Sequence, residues 1–226
     1  MFGLIIMVDI IISDKLKQVC SNIRLGVIKS DIKYEKKNKL LWYEIEQVVS
    51  QIKNSLSQNQ IAELSVIRHT RDTYLALGKE PARYRCSAEA LLRRVIQGKE
   101  LYQINNAVDI INLISLLFYF SIGCYDYDKL TEPIVFDIGK EKESYQAIGR
   151  GMMNIAHLPV FRDSRGAFGS PTSDSERSMI TAKTREIVIV IIDFKGTGPL
   201  QNSLEKTLFC LQEFAGAKNS KFSIIV

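Results

Sequence analysis

Hydrophobic and polar positions alternate from Val8 to Ile12, which predicts a strand over Val8–Ser13 and a short helix behind it over Asp14–Asn22. A second strand is predicted over Ile23–Tyr34, with Ile23, Leu25 and Val27 on one side. The period then changes. Leu41, Ile45, Val48, Val49 and Ile52 recur at helical spacing, so Leu40–Leu56 is expected to be an amphipathic helix. Asn59–Gly78 reads as helical in two pieces, ending at Gly78 ahead of Pro81. Another helix starts at Ser87, carries the apolar Leu91, Leu92, Val95 and Ile96, and stops at Gly98, a common place for a terminating glycine. A more apolar helix is expected from Asn105 or Asn106 to about Ile122.

The second half breaks into short strands at Pro133–Asp137, Tyr145–Ile148, Pro159–Asp163 and Glu186–Asp193. The last contains Ile-Val-Ile-Val-Ile-Ile, which is apolar on both faces and therefore belongs in the middle of a core. A helix over Leu200–Ala215 and a strand over Phe222–Val226 close the chain. Strands at both ends with helices between them predict one α+β unit over residues 1–226, its terminal strands paired near one another.

Composition narrows this picture only slightly. A hydrophobic fraction of 46% with 24% charged residues suits an ordinary globular core. Thirty basic and 25 acidic residues give a net charge of +5, which permits a polyanionic partner without demanding one. Cys20, Cys86, Cys124 and Cys210 are scattered, with no close pair and only His69 and His157 to join them. Buried free thiols in a reducing compartment are therefore expected, with no metal and no cofactor. The first residues lack the basic leader of a signal peptide, and Asp9 interrupts their apolar run. The stretch Ile110–Ile122 is shorter than the ~20 residues of a membrane span. A soluble, cytoplasmic protein is expected.

Three segments carry candidate chemistry. In Asn105-Asn106-Ala-Val-Asp109-Ile-Ile-Asn112, either asparagine can cap the helix, and Asp109 and Asn112 share a face that can project into a cleft. The plainer reading is a cap with a buried scaffolding network, because buried polar groups need partners. Further on, a strand ending at Asp163 leads through a turn at Arg165-Gly166 into Gly169-Ser-Pro-Thr-Ser-Asp-Ser-Glu-Arg177. A loop of small residues, hydroxyls and backbone amides can cradle an anion or a ribose hydroxyl. Its plainer reading is a surface loop with an Asp174–Arg177 ion pair. Finally, Arg71, Lys79, Arg83, Arg85, Arg93 and Arg94 form a basic cluster interleaved with Tyr74 and Tyr84, the pattern that grips a nucleic-acid backbone. Weaker candidates are Asn154 and His157 beyond the Gly149-Arg-Gly turn.

The asparagine-pair helix, followed by Cys124-Tyr-Asp-Tyr-Asp-Lys-Leu130, resembles the tRNA-editing B3/B4 domain of the phenylalanyl-tRNA synthetase beta chain. The Gly169–Arg177 loop and Arg71-Asp-Thr-Tyr-x-x-Leu-Gly-Lys-Glu-Pro81 resemble the free-standing proteins of that type, so the likeness runs from about Arg71 to Asp193. It implies mixed sheet layers with packed helices, tRNA as partner, and an amino acid moiety in the pocket. It further implies hydrolysis of mischarged aminoacyl-tRNA in trans, with Asn106 and Glu176 as catalytic residues. Asn105, Asp109, Asn154, Gly169, Ser170, Thr172, Ser173 and Ser175 would then bind substrate, and the six basic residues would bind RNA. Gly123 stands where the synthetase motif has a histidine. No aminoacylation motif is present, and the alternative is a non-catalytic binder of an amino acid or related small molecule.

Overall fold

The computed structural model describes residues 8–226. Strand β1 (Ile10–Ile12) leads into α1 (Asp14–Val19), capped by Ser13, whose hydroxyl accepts the Leu16 amide at 3.3 Å. Strand β2 (Arg24–Asp31) follows, then α2 (Lys39–Ser55), which Asn38 caps by accepting the Leu41 amide at 3.0 Å. The two helical pieces expected next are a 3-10 turn at Ile61–Glu63 and α3 (Ser65–Ala76). Helices α4 (Ser87–Ile96) and α5 (Asn106–Phe118) complete the first half.

Helix α5 is shorter than the apolar run suggests. Tyr119 adopts a left-handed φ of 66°, which ends the helix, and the remaining run becomes strand β3 (Ile122–Asp126). An apolar stretch buried on all sides has no polar stripe to distinguish helix from strand. There follow β4 (Ile134–Ile138), β5 (Ser144–Ala147), β6 (Gly151–Asn154), β7 (Pro159–Asp163), β8 (Gly166–Gly169) and β9 (Glu186–Asp193). Helix α6 (Leu200–Ala215) and β10 (Lys218–Ile225) close the chain.

Two four-stranded sheets stack, one ordered β1-β4-β7-β8 and the other β10-β2-β9-β3, while β5 and β6 form a separate hairpin. The first sheet is mixed, because β1 runs parallel to β4 and its other pairs are antiparallel. The architecture is thus α+β, with helices against mixed sheet layers. The terminal strands lie near one another, as expected, but do not pair: β1 adds to one sheet and β10 to the other.

Strand β9 lies in the interior of the second sheet, antiparallel to both β2 and β3. Its side chains alternate between two cores. Val188, Val190 and Ile192 pack with Phe136 and Phe161 of the first sheet. Ile187, Ile189 and Ile191 pack with residues of α5 and α6 such as Ile110, Ile114 and Leu204. Helices α3 and α4 join that outer layer through Ile67, Leu92 and Val95 against Leu116 of α5. This brings the end of α4 and Ile111–Ser115 of α5 beside Ile122, the first residue of β3.

Replacing Ile189, which is fully buried, with alanine should lower the unfolding free energy by about 2–5 kcal/mol. The same change at Ile11, half exposed on β1, should stay within about 0.5 kcal/mol. Denaturant melts compare the two, and equal losses would contradict a central position for β9.

Candidate functional site

Glu89 on α4 has 1% of its surface exposed, so its carboxylate must find charge partners to remain in the interior. It gathers three arginines. Arg71 from α3 donates at 2.9 Å, Arg93 one turn further along α4 at 2.8 Å, and Arg85 lies at 3.5 Å from the loop before α4. Three guanidiniums against one carboxylate leave an excess of positive charge along this edge. Arg94 extends it, its Nε donating to the Glu100 carbonyl at 2.6 Å. Cations in the last turn of α4 also face the negative end of the helix dipole.

Arg85, Arg93 and Arg94 form one wall of a cleft of about 540 Å³. Arg85, Arg93, Arg94 and Lys99 line it from the α4 side, and Arg150 reaches it from the turn between β5 and β6. Its floor includes Asn112 and Ser115 of α5 with Ile122 of β3, and Thr172 and Ser173 close the far side. Among the described residues, five cations line this space with no carboxylate and no imidazole. Such a concavity concentrates anions and offers hydroxyl and amide groups to fix their orientation.

The hydroxyl-rich loop is held mostly by itself. Ser170 Oγ donates to the Ser173 carbonyl at 2.9 Å and accepts the Tyr145 hydroxyl at 3.1 Å. Thr172 Oγ1 donates to the Tyr84 carbonyl at 2.9 Å and sits 2.9 Å from the Tyr74 hydroxyl. The Pro171 carbonyl accepts the Ser87 amide at 2.7 Å, which ties the loop to the start of α4. Ser170, Thr172 and Ser175 are consequently buried, and of the loop's expected binding residues Thr172 and Ser173 line the cleft.

The Asp174–Arg177 pair expected from sequence does not form. Arg177 instead makes a two-pronged contact with Asp163, at 3.0 Å to each carboxylate oxygen. Burial pushes the Asp163 carboxyl up, but Arg177 and the Arg165 and Thr131 amides outweigh it and hold the carboxyl below its ordinary range. Asp174 turns inward, where its carboxylate accepts the Tyr125 hydroxyl at 3.0 Å. Burial raises the Asp174 carboxyl to about 7 despite the hydrogen bonds from Tyr125 and from the Ser170 and Cys124 amides. Burial also pushes the Tyr125 phenol well up, with Asp174 adding to it, so the phenol is the donor of this pair.

Gly123, where the resemblance implied a histidine, has a physical account here. A Cβ at Gly123 would lie 2.1 Å from the Tyr125 hydroxyl, and a Cβ at Gly169 would lie 2.2 Å from it. The phenol therefore occupies the space a side chain at 123 would need.

The asparagine-pair residues fall outside the cleft. Asn105 accepts the Val108 amide at 3.0 Å and caps α5. Asn106 is fully buried: its Nδ2 donates to the Lys33 and Phe214 carbonyls at 2.8 and 3.1 Å, and its Oδ1 accepts the Glu35 and Ala107 amides. That uses both its donors and both acceptor sites on the fold. Asp109 accepts the Trp42 indole at 2.7 Å and the Ile104 amide at 3.1 Å. Burial raises its carboxyl, with the Ile104, Trp42 and Asn105 hydrogen bonds opposing.

Glu176 is exposed in a 3-10 turn and does not line the cleft with Asn112. Asn154 is exposed and accepts the Ala156 amide at 2.9 Å, and His157 is exposed and paired with Glu141 at 2.9 Å. Of the six basic residues expected to meet RNA, Arg85, Arg93 and Arg94 line the cleft. Arg71 is engaged by Glu89, Arg83 is exposed elsewhere, and Lys79 is buried with its ammonium 4.0 Å above the Tyr84 ring. Glu89, Lys99 and Tyr102 are not among the site residues expected from sequence; the clustering of arginines around one acidic residue was the available signal for the first.

A family model described as the B3/4 domain matches residues 69–199, more than half the chain and the whole of the cleft's lining. Among solved structures, an N-terminal fragment of the phenylalanyl-tRNA synthetase beta-subunit from Pyrococcus horikoshii aligns with a TM-score of 0.48 and 17% identity. The alignment covers 92% of this chain and 49% of that fragment, so the chain spans about half its length. No curated protein matches in sequence.

Because the fold holds the Asp174 carboxyl near 7, above the ~4 of an unfolded aspartate, it binds the proton more tightly when folded. Its contribution to stability is complete below about pH 4 and is lost as pH rises through about 7. Asp174→Asn should therefore flatten the fall in melting temperature between pH 5 and pH 8. Thermal melts across that range check it, and an unchanged slope in the variant would show that Asp174 titrates normally.

Proposed function

The chain belongs to the B3/4 domain family, and from that membership we propose that it binds tRNA, with the basic cleft taking up part of the tRNA chain. The observation that carries this reading is the lining: five cations, with hydroxyls and an asparagine amide beside them, and no carboxylate. A polyanion gains from every one of those charges by releasing its counterions. A free amino acid fits less well, because its α-ammonium would meet guanidinium groups with no lining carboxylate to pair it. The four buried free cysteines agree with the reducing interior of a cell, where tRNA is found. Among the described residues no helix is long and apolar enough to cross a membrane.

One observation favours a second reading, hydrolysis of a mischarged aminoacyl-tRNA in trans. Asp174 adjoins the cleft residue Ser173, and burial raises its carboxyl to about 7, close to the pKa that suits a general base at neutral pH. On that reading Asn112 and Ser173 hydrogen-bond the ester, Asp174 accepts the water's proton, and Glu176 and Asn106 stay outside the chemistry.

Fluorescence anisotropy with a labelled tRNA tests the binding. The affinity should fall steeply with salt, and Arg150→Gln or Lys99→Gln should weaken it while reducing the salt slope by about 1 each. Absence of tRNA binding at low salt would refute the reading. A deacylation screen over mischarged tRNAs tests the second: turnover should vanish in Asp174→Asn and survive in Glu176→Gln. Bound tRNAs that all stay charged would leave a binding protein.

A further inference from the structure

We propose that Tyr102 and Arg94 form a stacking platform for one unpaired nucleobase at the mouth of the basic cleft. The inference rests on the tRNA-binding reading and assigns a specific contact within it. Arg94 lies with its guanidinium carbon 4.0 Å from the centre of the Tyr102 ring. The guanidinium is held there by its bond to the Glu100 carbonyl at 2.6 Å, so it covers one face of the ring. Tyr102 nevertheless keeps 66% of its surface exposed, which leaves the other face open to solvent. An aromatic ring backed by a cation is the arrangement on which bases stack, and every base presents a π face to it.

The platform is built on a fixed connection. The turn after α4 closes with the Gly98 and Lys99 amides on the Val95 and Arg94 carbonyls. Asp109 holds the Ile104 amide at 3.1 Å, and Asn105 caps α5. Tyr102 is therefore pinned from both sides within a short segment, and little order has to be gained on binding. Lys99 and Arg150 line the same cleft, within the space where the phosphates flanking a stacked base would lie.

A second exposed aromatic groove does not share these features. Tyr43 and Phe209 are 61% and 55% exposed, but Glu44 and Glu213 line their groove against Lys206 alone. Two carboxylates against one ammonium repel a phosphate chain, so the base contact is assigned to Tyr102.

The test compares Tyr102→Ala and Tyr102→Phe with the unchanged protein, using single-stranded RNA carrying 2-aminopurine, a blunt RNA duplex and tRNA. Tyr102→Ala should weaken single-strand binding about tenfold or more, leave the salt slope unchanged, and abolish the quenching of 2-aminopurine. Tyr102→Phe should retain both affinity and quenching, and blunt-duplex binding should be the same for all three proteins. Melting temperatures should also coincide, because an exposed ring contributes little to the fold. If RNA binds the unchanged protein and Tyr102→Ala equally, the platform is refuted while the tRNA reading stands. If neither binds RNA at low salt, the tRNA reading fails and takes the platform with it.

Discussion

Strand β9 has no face that tolerates water, and the layers of the fold follow from that constraint. Six consecutive apolar residues, Ile187 to Ile192, alternate between two sides, so each side must be covered. The first sheet covers one and the α5–α6 layer the other. Each buried isoleucine or valine gains about 1.5–3 kcal/mol from leaving water, and that gain is what opposes the entropy of ordering both layers. The placement of β3 follows as well. It can pair with the free side of β9 only if α5 stops in time, and Tyr119 supplies the reversal. The cleft opens where that reversal brings Asn112, Ser115 and Ile122 together.

The electrostatics of the cleft grow from a different cause, the burial of Glu89. A carboxylate removed from water is costly unless paired, and one salt bridge leaves lone pairs unused. Arg71, Arg85 and Arg93 converge on it from two helices and a loop, binding α3 to α4 while leaving more positive than negative charge at the surface. The same buried group that fastens the helices thus also orders the cationic wall. Asp163 does comparable work beneath the following loop, where Arg177 spans its two oxygens.

Much of the scaffold was legible because its periodicity is strong. Pro159–Asp163, Glu186–Asp193 and Leu200–Ala215 form over the residues their patterns mark. Strands β6 and β8 escaped notice because each has four residues, begins at a glycine, and exists only as a hairpin partner of its predecessor. The site was less legible for reasons of orientation. Lys79 and Arg94 look alike in sequence, yet one ammonium is folded under Tyr84 and the other cation faces the cleft. Arg150 joins Arg93 only through tertiary folding, and no local pattern records their meeting. The hydroxyls after Gly169 look like ligand groups, but short polar side chains bond their own loop as readily as a ligand.

Gly123 shows how a position without a side chain shapes the polar group beside it. Alternate residues of a strand project to the same face, so Gly123 and Tyr125 compete for one volume beside Gly169. With glycine at 123, the tyrosine lies back across that position and delivers its hydroxyl to Asp174. A histidine at 123 would need the space the phenol fills, and would bring a group that titrates near neutrality by itself. The Asp174 carboxyl is raised because the phenol and two amides only partly offset its burial. Asp174 itself does not line the cleft, whose charged lining residues are all cations.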